Sequence, residues 1–225
     1  MRHRYTVLLI FIVTLLSVLP FVKGDEAAIF SMKLVFSVLL LFGISAGHRM
    51  RRDVILGSAL GIPVMVGRWL PQYSTDIRVP LVIDSLTVVF LLYIAMMILN
   101  RVFSARRVTL DTIAGAVCTY FLIGLAGAFV YRAMFAIRPH SFVIAPGSFG
   151  PIFENRSRSR PQLMHFVYYS FTTLTTTGFG DITPASGPSR AISLLEAITG
   201  QFFLAVLIAR LVSLELIHST RRDRE

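Results

Sequence analysis

The chain has 225 residues, 55% of them hydrophobic and 15% charged, with a mean hydropathy of +0.71. A soluble domain carries about a quarter charged residues, so this composition excludes an ordinary water-soluble globule and points to a bilayer. The net charge of +10 does not mark a nucleic-acid binder, because the basic residues fall in short clusters between apolar runs, where they orient membrane helices. Cys118 is the single cysteine, which excludes an intrachain disulfide.

A spanning helix needs roughly 17–25 mainly apolar residues. Six stretches approach that length: 5–22, 32–47, 54–70, 79–99, 108–135 and 188–217. The first, "MRHRYTVLLI", has the basic start and apolar middle of a signal peptide. No small-x-small cleavage site follows closely, and a retained helix is expected. The third carries Gly61 and Pro63 and is expected to kink. The fourth has no arginine between Arg78 and Arg101, which argues against a voltage sensor. Residues 1–107 are thus expected to form a four-helix transmembrane bundle. Arg2, Arg4, Arg49, Arg51, Arg52, Arg101, Arg106, Arg107, Arg221, Arg222 and Arg224 fall on one side of the membrane, against Lys23, Lys33, Arg68 and Arg78 in the short loops on the other. That asymmetry puts both termini in the cytoplasm. Residues 218–225 read as a short basic cytoplasmic tail.

Residues 136–162 are polar and rich in proline and glycine, and read as an irregular external loop. Within it "ENRSRSRP" is a basic run that solvent accounts for, with anionic headgroups as the alternative, and Asn155-Arg156-Ser157 fits a glycosylation acceptor. Residues 163–175 then give one short helix, with Leu163, Phe166, Val167, Phe171 and Leu174 at helical spacing. It is too short to cross, so it is expected to enter the membrane and stop. The next six residues, "TTGFGD", have no apolar periodicity. Non-helical backbone at membrane depth is tolerated only where protein buries it or where it lines a water-filled cavity. Glycine at every second position lets successive carbonyls turn toward one axis. Four such strands would stack rings of oxygens that replace the hydration shell of a monovalent cation. The short helix would aim its partially negative end at the cavity beneath.

"TTLTTTGFGD", placed between two spans, resembles the signature of the tetrameric potassium channels, and the resemblance covers residues 108–217. It implies an all-α integral membrane protein of six helices, with a re-entrant pore helix and selectivity filter between the fifth and sixth, assembled as a homotetramer in the plasma membrane. The parts would be an outer helix at 108–135, a pore helix at 163–175, a filter at 176–181 and an inner helix at 188–217. The resemblance implies that Thr176, through hydroxyl and carbonyl, and Thr177, Gly178 and Phe179, through carbonyls, coordinate K⁺, with Gly180 completing the filter. Asp181 would mark the outer mouth. Gly200 falls where relatives have a hinge glycine, and Gln201, Leu204, Ile208 and Val212 would face the cavity. Tyr168 and Tyr169 stand where an aromatic cuff surrounds the filter, and Thr172 and Glu196 are candidate supports behind it. Two filter positions depart from the family: Thr177 replaces valine and Phe179 replaces tyrosine, which puts filter rigidity in doubt. A weakly selective monovalent cation channel is therefore the alternative. A cation-transporter subunit is a further one, although such chains carry four pseudo-repeats against a single copy here. No cofactor is expected beyond the permeant ion. The expected partners are further copies of the chain, membrane lipids and a separate regulatory protein, and no nucleic acid. His48, His140, His165 and His218 are scattered without a partner at catalytic spacing, so no enzyme is expected.

The remaining ionisable residues in apolar stretches are functional candidates by default. Asp84 is expected to pair with Arg68 or Arg78, and Glu196 to reach the Thr172–Thr173 region. Arg210 is expected to pair with Glu215 or Asp111, or to reach the inner interface. His165 is expected at the surface.

Overall fold

A computed structural model describes residues 4–18, 37, 51–69, 78–105, 109–145 and 163–222. The expected span 32–47, apart from Ser37, lies outside them, as do the basic run and the Asn155 triplet. In chain order the helices are α1 (Arg4–Val18), α2 (Arg51–Trp69), α3 (Arg78–Ser104), α4 (Leu110–Ile137), α5 (Leu163–Leu174) and α6 (Gly187–Arg222). Two short strands, β1 (Phe142–Ile144) and β2 (Ile182–Pro184), flank the segment that contains α5. Among the described residues, Arg78–Ser104, Leu110–Ile137 and Gly187–Ser213 are long and apolar enough to cross a membrane, while Tyr5–Ser17 and Ile55–Trp69 are shorter apolar helices.

Local chemistry sets the helix ends. Thr109 caps α4: its backbone is extended and its Oγ1 accepts from the Thr112 amide at 3.2 Å, with Asp111 in the first turn favouring the same helix end. Arg138 is extended ahead of Pro139 and ends α4. Ser186 starts α6: its hydroxyl accepts from the Ser189 amide at 3.3 Å, and its own amide donates to Ser189 Oγ at 3.1 Å. Gly187-Pro188 then occupies the first helical positions, where a missing N–H costs nothing. Pro63 sits inside α2 without ending it.

α4 is the hub, packed against α1, α3, α5 and α6. α1 docks onto it through both polar and apolar contacts. Asp111 Oδ1 accepts from the amides of Tyr5 at 3.0 Å and Thr6 at 3.4 Å, which satisfies free donors at the N-terminus of α1. Leu8 and Ile12 are fully buried. Asp111 is therefore not the partner of Arg210.

Three features add to the sequence-based expectation. The fold is helical as expected, with one short addition: in the segment read as an irregular loop, β1 pairs antiparallel with β2, Phe142 opposite Pro184, Val143 opposite Thr183 and Ile144 opposite Ile182. The pairing joins segments on either side of α5, a non-local contact that no local pattern announces. α6 continues through 218–222, part of the segment read as a short basic tail. Finally, Asp84 forms an ion pair with Arg132 on α4, a partner not named from the sequence, and the expected Arg68 is close enough to feel its charge.

Candidate functional site

The site is built where α5 ends. At a rise of 1.5 Å per residue, its 12 residues span about 18 Å, well short of the roughly 30 Å hydrocarbon core. The Thr175 amide still bonds the Phe171 carbonyl at 3.0 Å, the Thr176 amide tightens onto Thr173 at 2.9 Å, and the helix stops. Beyond it Thr176 (φ 58°), Gly178 (φ 54°) and Gly180 (φ 83°) all lie in the left-handed region. Every second residue is thus inverted. Glycine accepts this at Gly178 and Gly180, but Thr176 is β-branched and strained there.

Side chains brace this turn. The Gly178 amide donates to the Thr172 carbonyl at 3.1 Å, so Thr172 supports the loop through its backbone, while its hydroxyl donates to Tyr169 O at 2.9 Å. Thr177, the residue that replaces a valine, places its hydroxyl 2.9 Å from that of Thr175, which donates to Phe171 O at 2.6 Å. Gln201 Nε2 donates to Thr176 Oγ1 at 3.0 Å. Phe179 is 70% exposed and stacks on Tyr168, centroids 6.1 Å apart and planes within 6°. The Tyr168 hydroxyl is near the Asp181 carboxylate, which accepts from the Ile182 amide at 3.0 Å. Residues Thr175 to Gly180 are all exposed in the single chain.

The two adjacent tyrosines part company. Tyr168 faces Phe179, while Tyr169 is buried, its hydroxyl 2.7 Å from Ser193 Oγ on α6 and its ring edge-on to Tyr131 and Phe142. Only Tyr168 therefore stands beside the loop. Glu196 is buried too, but its partners are not Thr172 and Thr173. Tyr131 donates to Oε2 at 2.5 Å, and Ser170 Oγ lies 2.5 Å from Oε1 and 2.6 Å from Gly124 O. Glu196 thus ties α6 to α4 and α5. Gly127 permits this approach, since a Cβ there would collide with Glu196 and Ser170.

Gly200 has a role the sequence does not display. It sits within the continuous α6, buried, and an added Cβ would overlap the Leu174 carbonyl oxygen. The same oxygen accepts from the Tyr120 hydroxyl at 3.1 Å. The last carbonyl of α5 is thus held by α4 on one side and pressed by α6 on the other. Leu204, Ile208 and Val212, with Gln201, form one exposed stripe of α6. Leu195, Ile198, Phe202 and Val206 form a second.

Away from the loop, Asp84 is 2% exposed and accepts from Arg132 through both Nε, at 2.8 Å, and Nη2. Arg68 adds a second cation: its Nη2 lies 3.4 Å from Thr87 Oγ1 and its guanidinium sits 4.5 Å above the Phe129 ring. Arg210 bonds the Phe103 carbonyl at 3.0 Å, at the end of α3. The Glu215 side chain lies outside the described residues. His165 is buried, not exposed. Sequence reasoning missed Tyr120, Tyr131, Arg132 and Ser170. Arg132, as a cation within an apolar run, was the one with a visible signal.

A family model described as "Ion channel" matches residues 117–215, which hold α5, the loop and nearly all of the apolar part of α6. Protein LctB of Bacillus caldotenax is 31% identical over 113 residues, 50% of this chain and 78% of that protein. Protein LctB of Geobacillus stearothermophilus is 32% identical over 109 residues, 48% of this chain and 76% of that protein. No solved structure gives a significant match.

Proposed function

Since the chain belongs to the potassium-channel pore family, we propose that it is a K⁺-selective channel assembled as a homotetramer around the loop 176–181. The observation that carries this is the inversion of the backbone at Thr176, Gly178 and Gly180 directly after a helix too short to cross. Alternating geometry turns successive carbonyls the same way, and four copies around one axis supply the oxygen rings that dehydrate the ion. One chain carries one such loop, so the axis requires identical copies. Exposure of Thr175 to Gly180 in the single chain fits this, because polar backbone at membrane depth must face protein or water.

In this assignment Thr176 to Phe179 bind K⁺, Gly180 completes the filter, Asp181 marks the outer mouth, and α5 is the re-entrant pore helix. α4 is the outer helix and α6 the inner helix, whose stripe of Gln201, Leu204, Ile208 and Val212 lines the cavity. The protein spans the plasma membrane six times with both termini cytoplasmic. The direct packing of α1 on α4 supports a retained first helix.

The weakly selective reading is favoured by one observation: Phe179 is held to Tyr168 by stacking alone, without the hydroxyl that would tether it. Purified protein in liposomes, under bi-ionic K⁺ and Na⁺, separates the two. The expected reversal potential lies near the K⁺ equilibrium value; one near zero overturns selectivity, and no flux of either ion overturns the channel. Native mass measurement is expected to give four chains, and a monomer would exclude the axial site.

A further inference from the structure

Thr176 is the one residue other than glycine among the described residues with a positive φ. It lies at the end of the loop nearest the cavity stripe, and its hydroxyl is held by Gln201 across 3.0 Å. Resting on the channel reading above, we propose that Gln201 is a specificity-determining residue, which with Thr176 forms a K⁺ site at the inner threshold of the filter.

The height of Gln201 is set by its neighbour. Gly200 has no side chain, so α6 closes onto the Leu174 carbonyl at the end of α5. The next residue then reaches Thr176 two positions beyond that carbonyl. A threonine hydroxyl has one proton and two lone pairs, and a carboxamide has two donors and an acceptor oxygen. With Nε2 donating to one Thr176 lone pair, the second lone pair remains for a cation. Gln201 is exposed, and among the described residues its Oε1 meets no partner.

Around a fourfold axis this places four hydroxyl oxygens and four amide oxygens at the entrance to the filter. They are neutral dipoles. They replace part of the water of an arriving ion without trapping it, which is what conduction requires of an entry site. The same bond holds the strained backbone at Thr176 in place. A leucine at position 201 would offer no oxygen, and a glutamate would offer a charge.

The test uses the full chain in planar bilayers with K⁺ as the probe, its concentration varied on one face at a time. Gln201→Leu is expected to raise the half-saturating K⁺ concentration about three- to tenfold at one face, the equivalent of one lost polar contact. Gln201→Glu is expected to lower it by about tenfold at that face, by concentrating cations. The other face stays within about twofold, a one-sided signature that a merely structural hydrogen bond would not produce. Variants within twofold of the wild type at both faces, or shifted equally at both, overturn the proposal. If Gln201→Leu fails to assemble, Gln201→Asn takes its place, being one methylene too short to reach Thr176. Wild-type protein that passes no K⁺-selective current in the same bilayers refutes the channel reading instead.

Discussion

α4 and α6 are both apolar helices long enough to cross a membrane, yet they are used in opposite ways. In the apolar window of α4, 67% of residues are buried inside the chain; in that of α6 the figure is 22%. α4 meets helices on several sides and carries a fully buried Tyr131 and Phe129. α6 buries one face, with Ser189, Ser193, Glu196, Gly200 and Leu207, and leaves two apolar stripes bare. Apolarity therefore marks both helices as bilayer-compatible, while only the pattern of contacts separates an internal strut from a surface offered to neighbours. The bare side of α6 lies beside the equally exposed loop 175–180.

The exposed side should break first at Gly178. Nothing lies within 4 Å of an added Cβ, so the cost of Gly178→Ala is in the backbone. At about 1–2 kcal/mol for each copy, the four copies of the proposed tetramer would lose about 4–8 kcal/mol, and K⁺ flux into liposomes should vanish while the protein stays folded. Ordinary flux would remove the loop from the conduction path. The internal side should break at Asp84. Asp84→Asn leaves Arg132 and Arg68 without their buried carboxylate, and about 3–5 kcal/mol of stability should go, read as a fall in the thermal midpoint by size exclusion.

Phe202 sharpens the contrast, being 67% exposed in the chain. If its stripe packs on the next copy, Phe202→Ala costs about 3 kcal/mol of assembly, and tetramers should dissociate at lower detergent-diluted concentrations. An unaffected tetramer would assign the stripe to lipid. Gly200→Ala should cost about 1–3 kcal/mol through collision with the Leu174 carbonyl, a stability loss that a pure hinge would not show. The smallest effect is Tyr120→Phe, which frees that same carbonyl from its hydroxyl at about 0.5–1.5 kcal/mol. A thermal midpoint equal to wild type would deny Tyr120 any part in fixing the end of α5.

The backbone of the candidate site was legible because its geometry is local. Thr176 to Gly180 lie in one uninterrupted run, and glycines spaced by two announce inverted backbone wherever they fold. Side-chain partners were another matter. Asp84 had Arg68 and Arg78 as candidates from the sequence, and its ion pair is with Arg132, 48 residues away, on the helix packed beside it. Glu196 had threonines nearby and took Tyr131, 65 residues away. Arg210 reaches a backbone carbonyl 107 residues away, that of Phe103.

By itself the sequence determined that several helices are long and apolar enough for a bilayer, where most of them start and stop, and that a polar turn interrupts them, since each depends on residues within a few positions of one another. Tertiary structure alone decided which buried charge meets which, that Gly200 is a point of contact, that β1 finds β2 across α5, and which faces of α6 stay bare. Those outcomes depend on how helices from distant parts of the chain pack, and a buried polar group takes whatever donor or acceptor that packing brings within reach.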